Sequence, residues 1–428
     1  MIAMMIEVPE SHITTLDETS VFELEKLNLQ DEQRYKRIQG EKDLCYYRLS
    51  GDNTQIETSY YIGINWIVEK HIPIYIRPKL NTQQCEIDYL SMLMEALEET
   101  ENVCHLDGLL TIDFNKPAIS ISQREDILSP FLIVQYLQIL KIIVRKGLKK
   151  AYYLRQDNLD SKIKGKVLIT QNIKRNILNG DLTHNVCQYQ EYGVDCNENR
   201  LLKKAFMFAC AVLQQYTDSI KMTAISQTAQ YIRTAFLNVS DSIEIEEVKA
   251  IHTNPIHKEY VQAIKLAKLI LRKYGYNIAR TRLLHETPPF WIDMSKLFEL
   301  FVFKKLREQF SNREVKYHLK AHYRELDFIL RPDEGLSPFI IDAKYKPRYK
   351  KQSIDIEDIR QISGYARLEK VYKELGITDF NKNIRCLIIY SNQNCPTDLP
   401  QMRYNEHWLL KENGYVNIYK LGISLPQV

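Results

Sequence analysis

The sequence predicts a multidomain α+β / α/β protein with a strand-rich N-terminal domain, a mainly helical middle region and a C-terminal mixed sheet flanked by helices. Two changes in hydrophobic period, which divide the chain into three segments, support this class. Residues 1–85 carry β-branched and aromatic runs with partial alternation. Residues 86–287 carry apolar residues at three- and four-residue spacing, and residues 288–428 alternate strand-like with helix-like stretches. These three segments are the predicted domains, in keeping with the two or three domains expected of 428 residues.

The composition is that of an ordinary globular protein. Hydrophobic residues make up 45% and charged residues 26%, which excludes a disordered, collagen-like or disulfide-scaffold chain. The net charge of +4 predicts no general affinity for nucleic acid, so a DNA-binding surface would have to be local. Eight cysteines without a Cys-x-x-Cys pair, and an N-terminus without the basic start of a signal peptide, predict a cytoplasmic protein with reduced thiols. The longest apolar run, 127–140, is shorter than the ~20 residues of a membrane span and predicts a buried helix.

The individual elements follow from the same periodicity. Predicted strands and a hairpin turn at Glu69-Lys70 define the N-terminal domain, and Gly147 is the predicted end of one of the helices in the middle region. After the break at residues 287–290, an α/β pattern begins. The predicted strands are 60–68, 71–79, 326–331, 338–345, 384–390 and 415–421, and the predicted helices are 88–97, 130–148, 199–216, 260–274, 293–309 and 355–370.

Three polar residues in the C-terminal strands carry the predicted chemistry. Asp342 and Lys344 are two residues apart in one strand, so their side chains point to the same face. If the preceding strand pairs with this one as a hairpin, Asp327 comes to lie beside Asp342. Two carboxylates and one lysine would then converge at a sheet edge.

This set suits metal-assisted phosphodiester hydrolysis. Mg²⁺ takes oxygen ligands, typically one or two carboxylates with several waters, so Asp327 and Asp342 are the predicted metal ligands. The metal activates a water and offsets charge on the scissile phosphate. We expect Lys344 to orient that water or to stabilise the developing negative charge.

An acid-x-Lys triplet alone is weak evidence, because several others occur in this chain and most such triplets are solvated. The triplet at Asp342 differs because it ends an apolar strand, where a charge is costly without a purpose. It also has the upstream Asp327 and a following helix with Gln361 and Tyr365 at i,i+4 spacing, on one face. Gln361 is therefore assigned to the catalytic set and Tyr365 to the DNA-contacting set.

Two further features adjoin this set. Glu299 lies on the helix before the hairpin and is a candidate second metal or water ligand; the alternative is an ordinary exposed glutamate. The stretch 344–351 contains five basic residues in eight, and we assign phosphate contacts to Lys346, Arg348, Lys350 and Lys351. The alternative for that stretch is a solvated loop.

Other catalytic motifs are missing from the sequence. There is no P-loop, no Gly-x-Ser-x-Gly and no His-Glu-x-x-His. His318 and His322 have i,i+4 spacing, but their segment also fits a strand, and we interpret both as structural or solvated.

The pattern Glu325-x-Asp327, Asp342-x-Lys344 and Gln361-x-x-x-Tyr365 resembles the PD-(D/E)xK restriction-endonuclease-like superfamily, with Leu326 where that superfamily usually has proline. More of the chain resembles one family within it, the McrC family of nuclease subunits from McrBC-type modification-dependent restriction systems. The segments that carry this resemblance are 73–79, 146–152, 163–167, 192–203 with its Asn199-Arg200 pair, and 297–299.

The resemblance implies a division of labour. An AAA+ GTPase partner, McrB, would form a ring, bind the modified DNA site and hydrolyse GTP that this chain does not bind. The McrC-like chain would dock on the ring through its N-terminal part, stimulate GTP hydrolysis and cut double-stranded DNA. The resemblance does not require this chain to recognise specific DNA bases. We interpret the Asn199-Arg200 segment as a structural helix start.

The sequence thus predicts a Mg²⁺-dependent endonuclease subunit that works with an AAA+ ring on methylated or otherwise modified foreign DNA. Two alternatives stay open. The chain could be an activator or adaptor that does not cut DNA, or it could be a DNA repair nuclease that works without a partner.

Overall fold

A computed structural model describes residues 5–427 except 28, 39–44, 79–86, 100, 107, 123–127, 217–222, 249–257, 276–283, 322–323, 346–353 and 404–405. The strands in chain order are β1 (Ile6–Pro9), β2 (Ile13–Thr15), β3 (Tyr35–Arg37), β4 (Cys45–Leu49), β5 (Gln55–Thr58), β6 (Tyr61–Val68), β7 (Ile72–Arg77), β8 (Leu110–Ile112), β9 (Ile119–Ser122), β10 (Ala151–Asp160), β11 (Lys166–Val167), β12 (His184–Gly193), β13 (Leu284–Thr287), β14 (Phe290–Asp293), β15 (Val315–Ala321), β16 (Arg324–Leu330), β17 (Phe339–Lys344), β18 (Arg385–Ser391), β19 (Leu410–Lys411) and β20 (Ile418–Ile423). The α-helices are α1 (Glu18–Glu25), α2 (Asp31–Arg34), α3 (Tyr89–Ala96), α4 (Leu128–Lys146), α5 (Ile169–Arg175), α6 (Asn197–Tyr216), α7 (Thr223–Ala235), α8 (Lys258–Gly275), α9 (Met294–Arg307), α10 (Ile356–Tyr365) and α11 (Glu369–Leu375).

The chain forms two compact units, and the second is inserted in the first. The first unit comprises residues 1–128 and 283–428 with a short piece at 219–225, and the second comprises 129–218 and 226–282. None of the described helices combines the length and the hydropathy needed to cross a membrane. The result is a mixed, multidomain α+β fold, as predicted.

A five-stranded sheet joins the two ends of the first unit. Its order is β1-β7-β6-β14-β8, so β14, from the far side of the insertion, lies between two strands of the N-terminal segment. Gly63 in β6 makes this pairing possible: it has φ +143°, and a Cβ there would lie 2.2 Å from the carbonyl oxygen of Phe290. A side chain at position 63 would therefore push β14 out of the sheet.

A six-stranded sheet, ordered β15-β16-β17-β18-β20-β19, forms the C-terminal part of the first unit. Its central strands β17, β18 and β20 are parallel, and β15 and β16 extend it antiparallel. Helices α10 and α11 cover one face with a buried cluster that includes Ile340, Ile362, Val371 and Ile388. This is the mixed sheet flanked by helices that the sequence predicts.

Helix α9 is the centre of the first unit. It contacts β6 of the five-stranded sheet and β15 and β17 of the six-stranded sheet. Because it packs on several sides, its apolar residues are fully buried around the helix, including Phe298, Phe301 and Phe303. Asp293 caps its first turn by accepting a hydrogen bond from the Lys296 N–H at 3.0 Å. The helix therefore has a fixed position from which Glu299 is presented.

The second unit combines α4, α6 and α8 with a three-stranded sheet ordered β10-β12-β11. Asn199 is fully buried at the start of α6; its amide donates to the carbonyls of Lys149 and Val194 at 2.9 and 2.7 Å and accepts from Tyr260 at 2.8 Å. Arg200 forms a two-bond ion pair with Asp195. These contacts are structural, in line with our interpretation of the Asn-Arg segment.

Most predicted elements are present at the residues that the periodicity indicates, including the hairpin of β6 and β7. Helix α4 ends just before Gly147, as predicted, and this residue has φ +92°. The described residues also contain elements that we did not predict, among them β10, β12 and β14. The three predicted domain boundaries stay a prediction.

Candidate active site

The predicted hairpin of β16 and β17 is present, and it brings the two aspartates together. The strands pair antiparallel with Phe328 opposite Ile341, so Asp327 and Asp342 occupy the next position of the same register. The carboxylate oxygen Oδ2 of Asp327 accepts a 2.8 Å hydrogen bond from the backbone N–H of Ala343. Local pairing of adjacent strands therefore fixes one carboxylate against the backbone beside the other.

Lys344 is placed by contacts on two sides. Its Nζ lies 2.9 Å from Oδ2 of Asp342 and donates a 2.9 Å hydrogen bond to Oε1 of Gln361. Gln361, on α10, in turn donates to the Tyr365 hydroxyl at 3.1 Å. Contacts therefore connect Asp342 and Lys344 of β17 with Gln361 and Tyr365 of α10.

Asp342 is almost completely buried, at 1% side-chain exposure. Neither of its carboxylate oxygens accepts a hydrogen bond of good geometry from a described residue, although Lys344 Nζ lies close to one of them. A buried carboxylate with unsatisfied oxygens is costly unless it is matched to a cation or a proton. This observation is the main reason to regard the cluster as a binding site.

The electrostatics agree with that interpretation. Burial raises the pKa of Asp327 well above its ordinary value, and the nearby charges of Asp342 and Glu299 raise it further. Burial also raises the pKa of Asp342, against the opposing effect of Lys344. For Lys344 burial lowers the pKa, but the two aspartates outweigh burial, so the net shift is upward and the ammonium stays protonated at neutral pH.

Asp327 and Asp342 fit a hard divalent cation. Their carboxylates meet at one place, burial raises the pKa of both, the charge of Asp342 adds to the shift at Asp327, and Asp342 has unsatisfied oxygens. Within the described part of the chain, no group of three or more His, Cys, Asp or Glu side chains is arranged to hold a metal. A two-carboxylate site matches Mg²⁺, which usually keeps several waters, better than it matches a metal that needs a full protein cage.

Glu299 lies beside this site and is not an ordinary exposed glutamate. Its side chain is 21% exposed, and its Oε2 accepts a 3.2 Å hydrogen bond from the Tyr317 hydroxyl. Its charge also raises the pKa of both aspartates. No described contact joins Glu299 directly to Lys344.

The predicted DNA contacts comprise Tyr365 and four basic residues that follow Lys344. Lys346, Arg348, Lys350 and Lys351 lie outside the described residues, so their phosphate contacts stay a prediction. Tyr365 is only 5% exposed and packs in the cluster under α10. Its hydroxyl accepts a 3.1 Å hydrogen bond from Gln361, and its DNA contact stays a prediction.

Sequence reasoning missed one neighbour of the site. His318 lies on β15, with its ring nitrogens 3.2 Å from Glu299 and 3.2 Å from Glu325. The sequence allowed a helix or a strand for this segment, and we interpreted His318 as structural or solvated; the segment is a strand. A signal was available, because pairing β15 with β16 as a second hairpin would have placed His318 opposite Asp327.

Fold and site together define a mixed α+β chain with an Asp-Asp-Lys cluster on the interior strands β16 and β17 of its C-terminal sheet. Residues 56–375 match the model of the family described as McrBC 5-methylcytosine restriction system component. The chain therefore belongs to the McrBC family. A search of curated proteins found no match.

Two solved structures are similar to the chain. One is a chain of the refined half-complex from the tetradecameric assembly of Thermococcus gammatolerans McrB AAA+ hexamers with bound McrC, at 15% identity and a TM-score of 0.41, covering 98% of this chain and 94% of that chain. The other belongs to the Thermococcus gammatolerans McrBC complex, at 17% identity and a TM-score of 0.28, covering 72% of this chain and 88% of that chain.

Proposed function

We propose that this chain is the Mg²⁺-dependent DNA endonuclease subunit of a McrBC-like restriction complex. It docks on an AAA+ GTPase ring, stimulates that ring and cuts methylated or otherwise modified foreign DNA. The observation that carries the nuclease assignment is the buried Asp342 with unsatisfied oxygens, next to Asp327 in register and within 2.9 Å of Lys344.

The residues of the site have separate tasks in this proposal. Asp327 and Asp342 would hold Mg²⁺, which supplies Lewis-acid stabilisation of charge on the scissile phosphate when it is bound. The protonated Lys344 supplies a second positive charge toward the phosphate oxygens. Gln361 fixes the direction of the Lys344 ammonium, and the Ala343 N–H fixes the carboxylate of Asp327.

A partner surface is supported by the distribution of exposed apolar side chains. Of the twenty large hydrophobic residues that are exposed in the described part of the chain, nine lie between positions 152 and 192, on or beside the three-stranded sheet of the second unit. They are Tyr152, Leu154, Ile163, Ile169, Ile173, Ile177, Leu178, Leu182 and Tyr192. Such a concentration is typical of a protein–protein contact. We therefore place the ring contact on this apolar segment, whereas the sequence suggested residues 1–85.

The nuclease assignment is tested by cleavage of methylated DNA with the reconstituted complex. Asp342→Ala and Lys344→Ala are each expected to lower the cleavage rate by about 10²-fold or more, because the first removes a proposed Mg²⁺ ligand and the second removes a positive charge that acts on the phosphate. Glu357→Ala, an exposed acid on α10, is the matched control and should cut like the wild type. Wild-type cleavage by both site variants contradicts the assignment.

The docking role is tested separately through the partner's GTPase rate. Asp342→Ala should stimulate the ring normally, because the site is not part of the proposed contact. Replacing Leu178 and Leu182, which are 73% and 80% exposed, by serine should lower stimulation without lowering the melting temperature. Strong cleavage by the isolated chain would instead favour a nuclease that works without a partner, and normal stimulation without any wild-type cleavage would favour an adaptor.

A further inference from the structure

Three side chains from three different elements meet beside the candidate active site. His318 of β15 lies between Glu299 of α9 and Glu325 of β16. Its Nε2 is 3.2 Å from Oε2 of Glu299, and its Nδ1 is 3.2 Å from Oε1 of Glu325. Both ring nitrogens therefore face a carboxylate, and the ring bridges a helix to a strand.

The backbone of His318 is unusual for a strand residue. Its neighbours pair regularly with β16, Tyr317 with Phe328 and Leu319 with Leu326, which puts position 318 opposite Asp327. His318 itself has φ +54°, a left-handed conformation that is uncommon for residues other than glycine. This conformation turns the residue out of the ladder, and strained residues of this kind concentrate at functional sites.

An aromatic stack holds the ring once it has turned. The His318 ring lies 3.7 Å from the Tyr317 ring with 26° between the planes, and Tyr317 stacks in turn on Phe303 and Phe328. His105 packs edge-on against Tyr317 at 4.6 Å. The orientation of His318 is thus determined by the core of the first unit.

Each of the two glutamates that His318 contacts is linked to the aspartate pair. The Oε2 atom of Glu299 contacts both His318 Nε2 and the Tyr317 hydroxyl. The charge of Glu299 raises the pKa of both aspartates. Glu325 precedes Asp327 by two residues in β16, so the two side chains share a face of the strand. His318 is the described residue that contacts both glutamates.

We propose that His318 is a positioning residue that holds the carboxylate of Glu299 beside the Asp327–Asp342 pair through its Nε2, while Glu325 and the Tyr317 ring fix the orientation of the imidazole. This inference rests on the proposed nuclease function. Residues that hold a group in place at a metal site usually change metal affinity or activity by about 10- to 100-fold when they are removed.

Two amide variants separate the two contacts of the ring. Glutamine at this position places its amide nitrogen near the site of Nε2 and keeps the contact with Glu299. Asparagine places its amide nitrogen near the site of Nδ1 and keeps only the contact with Glu325. Asparagine and glycine both tolerate positive φ better than glutamine does. A purely structural role therefore predicts that His318→Asn and His318→Gly keep higher melting temperatures and more cleavage activity than His318→Gln.

The positioning role predicts the opposite order of function. His318→Gln should keep cleavage and Mn²⁺ affinity close to wild type, whereas His318→Asn and His318→Gly should lower both by about 10-fold or more. Mn²⁺ affinity is measured on the isolated full-length chain by titration calorimetry, and melting temperature reports folding. In a Glu299→Gln background, His318→Gly should have no further effect, because the group that it positions is already lost.

The outcomes separate this inference from the function on which it rests. Wild-type Mn²⁺ affinity and cleavage in His318→Gly, with both lost in Asp342→Ala, would overturn the positioning role alone. An activity order that follows the melting temperatures, or full additivity with Glu299→Gln, would overturn it as well. Wild-type Mn²⁺ affinity and cleavage in Asp342→Ala would overturn both proposals.

Discussion

Tyr345, the residue after the candidate catalytic lysine, donates a 2.6 Å hydrogen bond to Oε1 of Glu10, which lies 335 residues earlier in the chain. Both side chains are buried, with 2% and 0% exposure. The Tyr345 ring also lies 6.0 Å from the Phe298 ring of α9. The first strand segment of the protein is therefore built into the support of the strand that carries Asp342 and Lys344.

Tyr345→Phe should lower the free energy of unfolding by about 1–3 kcal/mol, because it removes the donor from a buried carboxylate. The measurement is urea unfolding of the full-length chain. Tyr415→Phe, at a residue that is 37% exposed, is the control and should change stability little. An unchanged free energy in Tyr345→Phe would show that the bond does not contribute to folding.

Gln361→Ala should slow DNA cleavage by about 10- to 100-fold, because Lys344 loses the acceptor that fixes its direction. Tyr365→Phe should have a smaller effect, since its hydroxyl contacts only the far side of Gln361. Cleavage rates of the reconstituted complex measure both. Arg360→Ala, with a side chain that is 69% exposed on the same helix, should cut normally, and an equal loss in that variant would refute a specific role for Gln361.

The acid stability of the first unit should depend on Glu314. Hydrogen bonds from Arg403 and from the backbone N–H groups of Ser311 and Asp333 lower the pKa of Glu314 from 4.5 to about 2. Because the folded-state pKa is depressed, this stabilisation is complete above the unfolded value of 4.5 and is lost as the pH falls toward 2.

Glu314→Gln should therefore be less stable than the wild type by about 3 kcal/mol near neutral pH, and the difference should shrink between pH 4.5 and 2. Chemical unfolding at several pH values measures this difference. A gap that stays constant down to pH 2 would show that ionised Glu314 is not the stabilising form.

Asn199→Ala should destabilise the second unit by about 3 kcal/mol, because the variant leaves two buried carbonyls and the Tyr260 hydroxyl without this partner. Tyr260→Phe should cost less, since the amide keeps its two donor bonds. Limited proteolysis and thermal unfolding report the change. The control is Asn179→Ala, an exposed residue whose amide bonds to Arg175 on the surface; equal destabilisation there would argue against a special role for Asn199.

The part of the site that the sequence predicts depends on local pairing. Asp327 and Asp342 belong to adjacent strands joined by a short turn, so strand alternation and one hairpin are enough to bring them together. Lys344 follows in the same strand as Asp342, and Gln361 lies on the next helix. Glu299 was a predicted neighbour, but its contact with Tyr317 depends on how α9 packs in the core, which periodicity does not report.

The rest depends on features without a local signal. Strand β10 is exposed or only partly buried at every residue, so it shows no apolar alternation and we did not predict it. A second hairpin would have placed His318 opposite Asp327, but its contact with Glu299 depends on a positive φ, which sequence spacing does not indicate. The burial of Tyr365 also has no signal in its i,i+4 spacing, which gives a helix face but not what covers that face, and its DNA contact stays a prediction.

The position of β14 in the five-stranded sheet has a consequence for how the protein is made. This strand begins at residue 290 of 428, yet it fills the gap between β6 and β8, which end by residue 112. During synthesis, the ribosome must release about two thirds of the chain before that gap can close. Until then two strand edges stay open to wrong partners, so we expect the nascent chain, rather than the finished protein, to be the form most prone to aggregation.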